Sequence, residues 1–319
     1  MKFNGFILSL FIAICLAYFF PTALSDLPVG IITDVGIALI FFFYGLKLAP
    51  AELKLGFLNY KAHVLIQLST FLLFPLLTML FIPFFEAGTS SELWLSIFFL
   101  GVLPSTVSSS VVMVAIARGN LPTAIFNASI SGLIGILITP LWLSFFMANS
   151  GEFDFTAILY KLCLQIVLPL VLGLLLQRFL GEFARKHNTK LGYFDKAVIV
   201  LIVYTSFSNS FNSGLFESIM IVDLLKILGI VIILFFGMYL IIGAICKWLN
   251  FDIRDTITAK FCGTKKSLVH GSVMVKIIFG TSATVGIFLL PIMLYHILQL
   301  LIVTIFAERY GKREIVNTN

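Results

Sequence analysis

Ten apolar segments of bilayer length follow one another through a chain of 319 residues: 5–20, 29–46, 62–82, 92–117, 122–147, 157–180, 194–212, 222–248, 256–282 and 285–307. Apolar runs of about 18 residues or more read as membrane spans, because no soluble domain of this size can hide so much hydrocarbon. The runs are continuously apolar and do not alternate, so helices fit them and barrel strands do not. Residues 1–25 have the look of a leader, with Lys2, an apolar stretch and TALS before Asp26. They are read as the first span, since ten spans divide into two halves and nine do not.

The fourth and ninth segments are interrupted. GVLPSTVSSS, Gly101 to Ser110, and FCGTKKSLVHG, Phe261 to Gly271, lie about 160 residues apart at matching places in the two halves. Paired broken helices are the best sequence pointer to a transporter's binding site. Halves of five spans each, residues 1–150 and 151–319, must run in opposite directions through the bilayer. The expected fold is thus a single all-α membrane unit, made of two inverted five-helix repeats joined at Gly151 to Phe155.

Charge sets the orientation. With the amino terminus inside, 16 of the 21 Lys and Arg fall in inner connections, among them Lys2, Lys47, Lys54, Arg118, Arg185, Lys186, Lys196, Arg254 and Arg313. Outside remain Lys161, Lys226 and Lys276. Positive-inside bias therefore places both termini in the cytoplasm, in a plasma membrane (the inner membrane of a bacterium). The formal charge of +6 does not point to nucleic acid, because the basic residues form no continuous surface.

The interruptions carry the chemistry. Pro104 removes a backbone donor, and Ser105, Thr106, Ser108, Ser109 and Ser110 crowd the following turns. Such hydroxyls satisfy freed carbonyls, glue helices, coordinate a small cation or meet a polar solute. The restarted helix also turns its positive dipole end into the gap, which favours an anion. The second interruption holds Thr264, Lys265, Lys266, Ser267 and His270. A lysine at the bilayer centre costs about 2.5–3.5 kcal/mol on insertion scales. Each lysine is read either as a lock on freed carbonyls or as a group that binds an anion or exchanges a proton during transport. Asn127 and Ser131, four apart on one helix face, and Gln67 in the third span are further candidates for the same cavity. His296 in the last span reads as a packing residue.

No enzyme is indicated: the HExxH, GxSxG and P-loop patterns are missing, and no carboxylate occurs between Asp255 and Glu308. Four cysteines without a CxxC pair suggest neither a disulfide framework nor a zinc site. No cofactor is expected, although sodium or proton coupling fits the breaks. The expected partners are the lipid bilayer and a small anionic solute, with the oligomeric state open.

LPSTVSSSVVMVAIARGNLPTAIFNASISGLIGILITP, Leu103 to Pro140, resembles the corresponding stretch of the bile acid:sodium symporter superfamily. Together with IFFFYGLKL, Ile40 to Leu48, and FCGTKKSL, it is similar to the SBF-like branch of that superfamily. The resemblance implies that spans 1, 2, 6 and 7 form a panel and the others a core. Broken spans 4 and 9 would cross in the core, beside a cavity whose access alternates. It also implies sodium ligands, and there the chain departs. A serine and an asparagine of the family fall at Ser110 and Val111, and two span-5 hydroxyls fall at Ala124 and Ala128. An acidic residue falls near Phe261, a glutamine near Lys265, and a span-3 glutamine at Thr70. The expected function is therefore secondary transport of a small anionic organic solute without the usual sodium sites. The alternatives are a sodium-coupled symporter with a rebuilt site, using the span-4 serines and Asn127, and a non-transporting membrane regulator of cation homeostasis.

Overall fold

The computed structural model describes residues 5–48, 59–85, 89–147, 154–280 and 282–313. Lys2, Lys54 and the greater part of the Gly151 to Phe155 joint lie outside them. Among the described residues there is helix and no strand, in twelve long segments: α1 (Gly5–Phe19), α2 (Val29–Lys47), α3 (Tyr60–Met79), α4 (Thr89–Val102), α5 (Ser108–Ile116), α6 (Leu121–Met147), α7 (Phe155–Lys186), α8 (Asn188–Asn212), α9 (Ile221–Trp248), α10 (Ile253–Thr264), α11 (Leu268–Phe279) and α12 (Val285–Gly311).

Seven of these are long and apolar enough to cross a bilayer: α2, α3, α6, α7, α8, α9 and α12. Three of the ten apolar segments are not single long helices. α1 has 15 residues, and the two interrupted segments divide into α4 with α5 and α10 with α11. The starts follow local chemistry. Asn59, Asp154, Asp252 and Ser267 each accept a backbone N–H of the first turn of α3, α7, α10 and α11, leaving fewer orphan donors there.

Two helices change winding ahead of a proline. In α3 the stretch Ser69–Leu73 is π-helical just before Pro75, and in α7 the stretch Cys163–Val167 precedes Pro169. A proline ring excludes the carbonyl four residues earlier, and a wider turn absorbs the misfit. The carbonyl so released in α3, that of Phe71, accepts the Trp142 indole N–H at 2.8 Å.

The helices pack in two groups. α2 lies along α7 and α8, and α1 lies along α8. The α2–α7 contact is backbone on backbone: a Cβ on Gly45 would sit 2.2 Å from the Leu170 carbonyl oxygen, and one on Gly173 would sit 2.1 Å from that of Phe42. Small residues let membrane helices approach this closely, so dispersion and not the hydrophobic effect holds the pair. The remaining helices pack mainly on one another, with α12 against α4, α9 and α11. α8 touches both groups, since it also meets α11 and α12.

The turn between α5 and α6 is a structural element. Arg118 has φ of +54°, Asn120 donates to Asp255 at 2.7 Å, and the Arg313 guanidinium bonds the Ala117 and Arg118 carbonyls. A Cβ on Gly119 would lie 2.9 Å from Thr258 Oγ1. The ARGN tetrapeptide thus fastens α5 and α6 to α10 and to the end of α12.

Candidate functional site

The two interruptions meet. Break one is Leu103 to Val107, between α4 and α5, and break two is Lys265 to Ser267, between α10 and α11. Ser267 N–H donates to the Pro104 carbonyl at 2.9 Å, and Ser105 Oγ donates to the Cys262 carbonyl at 2.7 Å.

At the end of α4 the carbonyls of Gly101 and Val102 are answered by side chains of break two and α6. Ser105 N–H, which would have continued the helix to Gly101, donates instead to Ser131 Oγ at 2.9 Å. The Gly101 oxygen is thereby free, and it accepts Lys266 Nζ at 2.6 Å. Lys266 Nζ also donates to the Leu103 carbonyl at 2.8 Å and to the Thr70 carbonyl, in the π-helical stretch of α3, at 2.9 Å. Val102 accepts Thr139 Oγ1 at 2.8 Å. All three ammonium protons of Lys266 are used, the Phe74 ring lies 4.2 Å from Nζ, and the side chain is 1% exposed. No donor is left over for a ligand. Lys266 is a lock on carbonyls freed where α4 ends and by the wide turn before Pro75.

Lys265 differs. Its backbone is extended (φ −80°, ψ 143°), so its side chain leaves the chain opposite to its neighbour's. Nζ donates to the Ser109 carbonyl at 2.8 Å and stands 3.4 Å from Ser109 Oγ. It is fully buried, and among the described residues no carboxylate pairs with either lysine.

Break two is held by α12. Tyr295 OH donates to the Thr264 carbonyl at 2.5 Å. The Gln299 amide pairs with the Lys266 peptide, its Oε1 accepting N–H at 2.9 Å and its Nε2 donating to C=O at 2.8 Å. Neither residue was singled out from the sequence. A polar residue one turn from His296 was the available signal, since Gln299 Nε2 lies 2.9 Å from His296 Nδ1.

A cavity of about 600 Å³ opens beside the breaks, between α1, α2 and α8 on one side and α5, α6, α11 and α12 on the other. Phe41, Val107, Val111, Ile125, Ile199 and Leu268 give it apolar walls. Thr106, Ser109, Ser129, Ser267, His270 and His296 give it a polar flank. At the end of α2 and the start of α8 it is lined by Lys47, Asn188, Asp195 and Lys196. Lys47 and Asp195 pair at 3.8 Å, whereas Lys196 lies over the rings of Phe6 and Tyr193 with no carboxylate within 4.0 Å among the described residues.

The candidates from the sequence therefore separate. Thr106, Ser109, Ser267 and His270 stand at the cavity wall. Thr106 Oγ1 is within 2.8 Å of both Ser109 Oγ and Ser110 Oγ, so Ser110 stands behind the wall in one hydroxyl trio. His270 Nδ1 is 2.9 Å from Ser267 Oγ, and its Nε2 abuts Gly132 of α6, where a Cβ would come within 2.8 Å. Ser105, Ser131 and Lys266 are spent on the breaks themselves, as shown above. Thr264 Oγ1 bonds its own helix at Lys260. Gln67 and Asn127 form a separate cluster: Gln67 Nε2 donates to Asn127 Oδ1 at 3.0 Å, and Asn127 Nδ2 meets His63 Nδ1 at 2.6 Å. The Ser108 side chain lies outside what the structure describes. Among the described residues no cluster of His, Cys, Asp and Glu is suited to a metal ion.

A second cavity, of about 500 Å³, lies at the other end of α8, lined by Tyr204, Ser208, Asn209, Asn212 and, from α11, Lys276. Between the two stretches of α8 that line the cavities stand Ile202 and Val203, both fully buried.

A bundle of apolar helices, two of them broken against each other beside an amphipathic cavity, defines a multi-pass membrane protein of the transporter class. The comparisons agree with that class. The SBF-like CPA transporter family matches residues 4–312, and the chain belongs to it. The uncharacterized protein PA2026 of Pseudomonas aeruginosa is 35% identical over 312 residues, covering 97% of this chain and 93% of its own. YfeH of Escherichia coli is 33% identical over 311 residues, with the same coverage. Sodium/bile acid cotransporter 7 of Danio rerio is 31% identical over 278 residues, 85% of this chain and 81% of its own. The resemblance read from Leu103 to Pro140 is thereby borne out.

Proposed function

We propose that the chain is a secondary transporter that moves an amphipathic organic anion by alternating access and uses Lys265 where related symporters place sodium ligands. The observation that carries this reading is the cavity at the meeting of the breaks. Its volume suits a small organic solute, which binding sites of roughly 300–1,000 Å³ typically hold. Apolar walls fit a hydrocarbon body, and the hydroxyls of Thr106 and Ser109, with Ser267, fit a polar head. Lys47 and Lys196 outnumber Asp195 among its charged lining residues, which draws an anion inward. The name of the vertebrate relatives, sodium/bile acid cotransporter, fits a solute of this shape.

In this reading the ten apolar segments are ten spans in two inverted repeats, 1–150 and 151–319, and both termini lie in the cytoplasm. The panel is α1, α2, α7 and α8, and α8 rocks on the core about buried Ile202 and Val203, so that one cavity opens as the other shuts. The ammonium of Lys265 supplies a fixed charge on Ser109, where a bound sodium would otherwise supply one. Binding an anion nearby offsets part of the cost of burying that charge.

Proteoliposome flux tests the function: purified protein should carry radiolabelled cholate or another amphipathic carboxylate down its gradient, and no flux with retained binding would favour a regulator. Orientation has its own test. In a cysteine-free background on intact cells, an impermeant thiol reagent should label Asn212→Cys and spare Lys186→Cys, and the opposite pattern would invert the topology.

A further inference from the structure

His296 stands in the cavity wall on α12, and the hydrogen bonds around it fix which of its nitrogens carries the proton. Gln299, one turn further along α12, is fully buried. Its amide faces the Lys266 peptide with oxygen on N–H at 2.9 Å and nitrogen on C=O at 2.8 Å. Turning the amide over would set NH₂ against N–H and oxygen against oxygen, so the peptide holds it one way round. One Nε2 proton goes to the Lys266 carbonyl, and the other points at His296 Nδ1, 2.9 Å away. An amide nitrogen only donates, so Nδ1 must accept, and the imidazole proton sits on Nε2.

That Nε2–H has no hydrogen-bond partner among the described residues, nor is it among the buried polar atoms that lack one. It therefore reaches the cavity. The ring of Phe6 stands edge to face with the imidazole, centroids 6.4 Å apart, on the panel side. The result is a directed donor of fixed tautomer in a mostly apolar wall, held through Gln299 by the backbone of break two.

We propose that His296 is a ligand-binding residue whose Nε2–H donates to the carboxylate of an amphipathic anion, and that Gln299 is its positioning residue. This rests on the reading of the cavity as the solute site, and it narrows the solute class. A head group must accept a hydrogen bond, so a carboxylate is held and an ammonium of the same shape meets a donor and is rejected. The device also ties recognition to the broken helix, because movement of the Lys266 peptide would turn Gln299 and release the tautomer.

The full-length protein, labelled with ¹⁵N-histidine and held in lipid nanodiscs, allows a direct test, with the His296 signals assigned by their loss in His296→Phe. The expected spectrum has the proton on Nε2, and its resonance moves on adding cholate or 4-phenylbutyrate but not 4-phenylbutylamine. His296→Phe should weaken cholate binding about tenfold or more, as loss of a hydrogen bond to a charged group does. His296→Gln, which keeps a donor, should recover most of it. Gln299→Glu, if it folds, should move the proton to Nδ1. A proton on Nδ1 in the unmodified protein, an Nε2 signal that cholate leaves unmoved, or cholate binding unchanged in His296→Phe would each overturn the inference. Ile125→Trp, which fills the cavity, separates the two failures. If it blocks cholate while His296 stays silent, the cavity stands and this inference alone falls. If cholate binds regardless of Ile125→Trp, the cavity reading falls as well.

Discussion

Break one and break two solve the same problem with opposite materials. Break one is rich in hydroxyls, yet its freed carbonyls at Gly101, Val102, Leu103 and Pro104 are satisfied mostly from elsewhere, by Lys266, Thr139 and the Ser267 N–H. Thr106 of break one and Ser109 in the first turn of α5 are left to face the cavity. Break two spends its central residue on structure, the Lys266 ammonium on three carbonyls and the Lys266 peptide on Gln299, and leaves Ser267 at the cavity wall. The difference teaches that the most conspicuous charge in a membrane site is not thereby the group that meets the solute. Two neighbouring lysines in an extended stretch point opposite ways, and only one has all its protons consumed.

The comparison breaks most visibly at Lys266. Lys266→Met removes the donor of three buried carbonyls, each left unsatisfied at about 1–3 kcal/mol. The variant should fail to give monodisperse protein or should melt far below the unmodified chain by size-exclusion and thermal unfolding assays. A stable, unshifted Lys266→Met would remove the lock. At Lys265 the expected loss is functional. Lys265→Gln gives up the bond to the Ser109 carbonyl and one buried charge, so the protein should stay folded while anion affinity falls about tenfold or more. Equal damage to stability from the two lysine substitutions would erase the distinction drawn between them. The smallest effect belongs to break one. Thr106→Val with Ser109→Ala should leave thermal stability within about 1 kcal/mol and weaken cholate binding several-fold, because hydroxyls at a cavity wall exchange water for solute at modest net gain. Unfolding of this double variant would make the hydroxyl trio glue.

The long apolar rods and the places where two of them stop were legible in the sequence, since Pro104 and the polar run Thr264 to Ser267 interrupt otherwise continuous hydrocarbon. The family was legible too, through Leu103 to Pro140. What the chain did not display was pairing across space. Ser131 and Ser105 look like cavity residues until each is seen bonded to a break, and Asn127 turns to His63 and Gln67 on α3 because that face of α6 packs there. Gln299 in α12 has one local signal, His296 a turn away, whereas its bonds to the peptide atoms of Lys266, 33 positions earlier, leave none in the chain. The mouth of the cavity was hidden for a different reason. Lys47 and Lys196 read as ordinary loop cations for topology, Asp195 has no signal of its own, and only the approach of α2 to the start of α8 gathers the three.

In the proposed transporter a cation built into the chain at Lys265 stands where a dissolved one would bind, so the most direct test is ligand binding with the dissolved cation changed. Cholate affinity and the thermal shift it induces should be the same in sodium, potassium and choline chloride at equal ionic strength, and Lys265→Gln should be the variant in which any sodium response appears. A saturable stabilisation of the unmodified protein by sodium alone, or cholate binding that requires sodium, would contradict the account and point to a rebuilt sodium site.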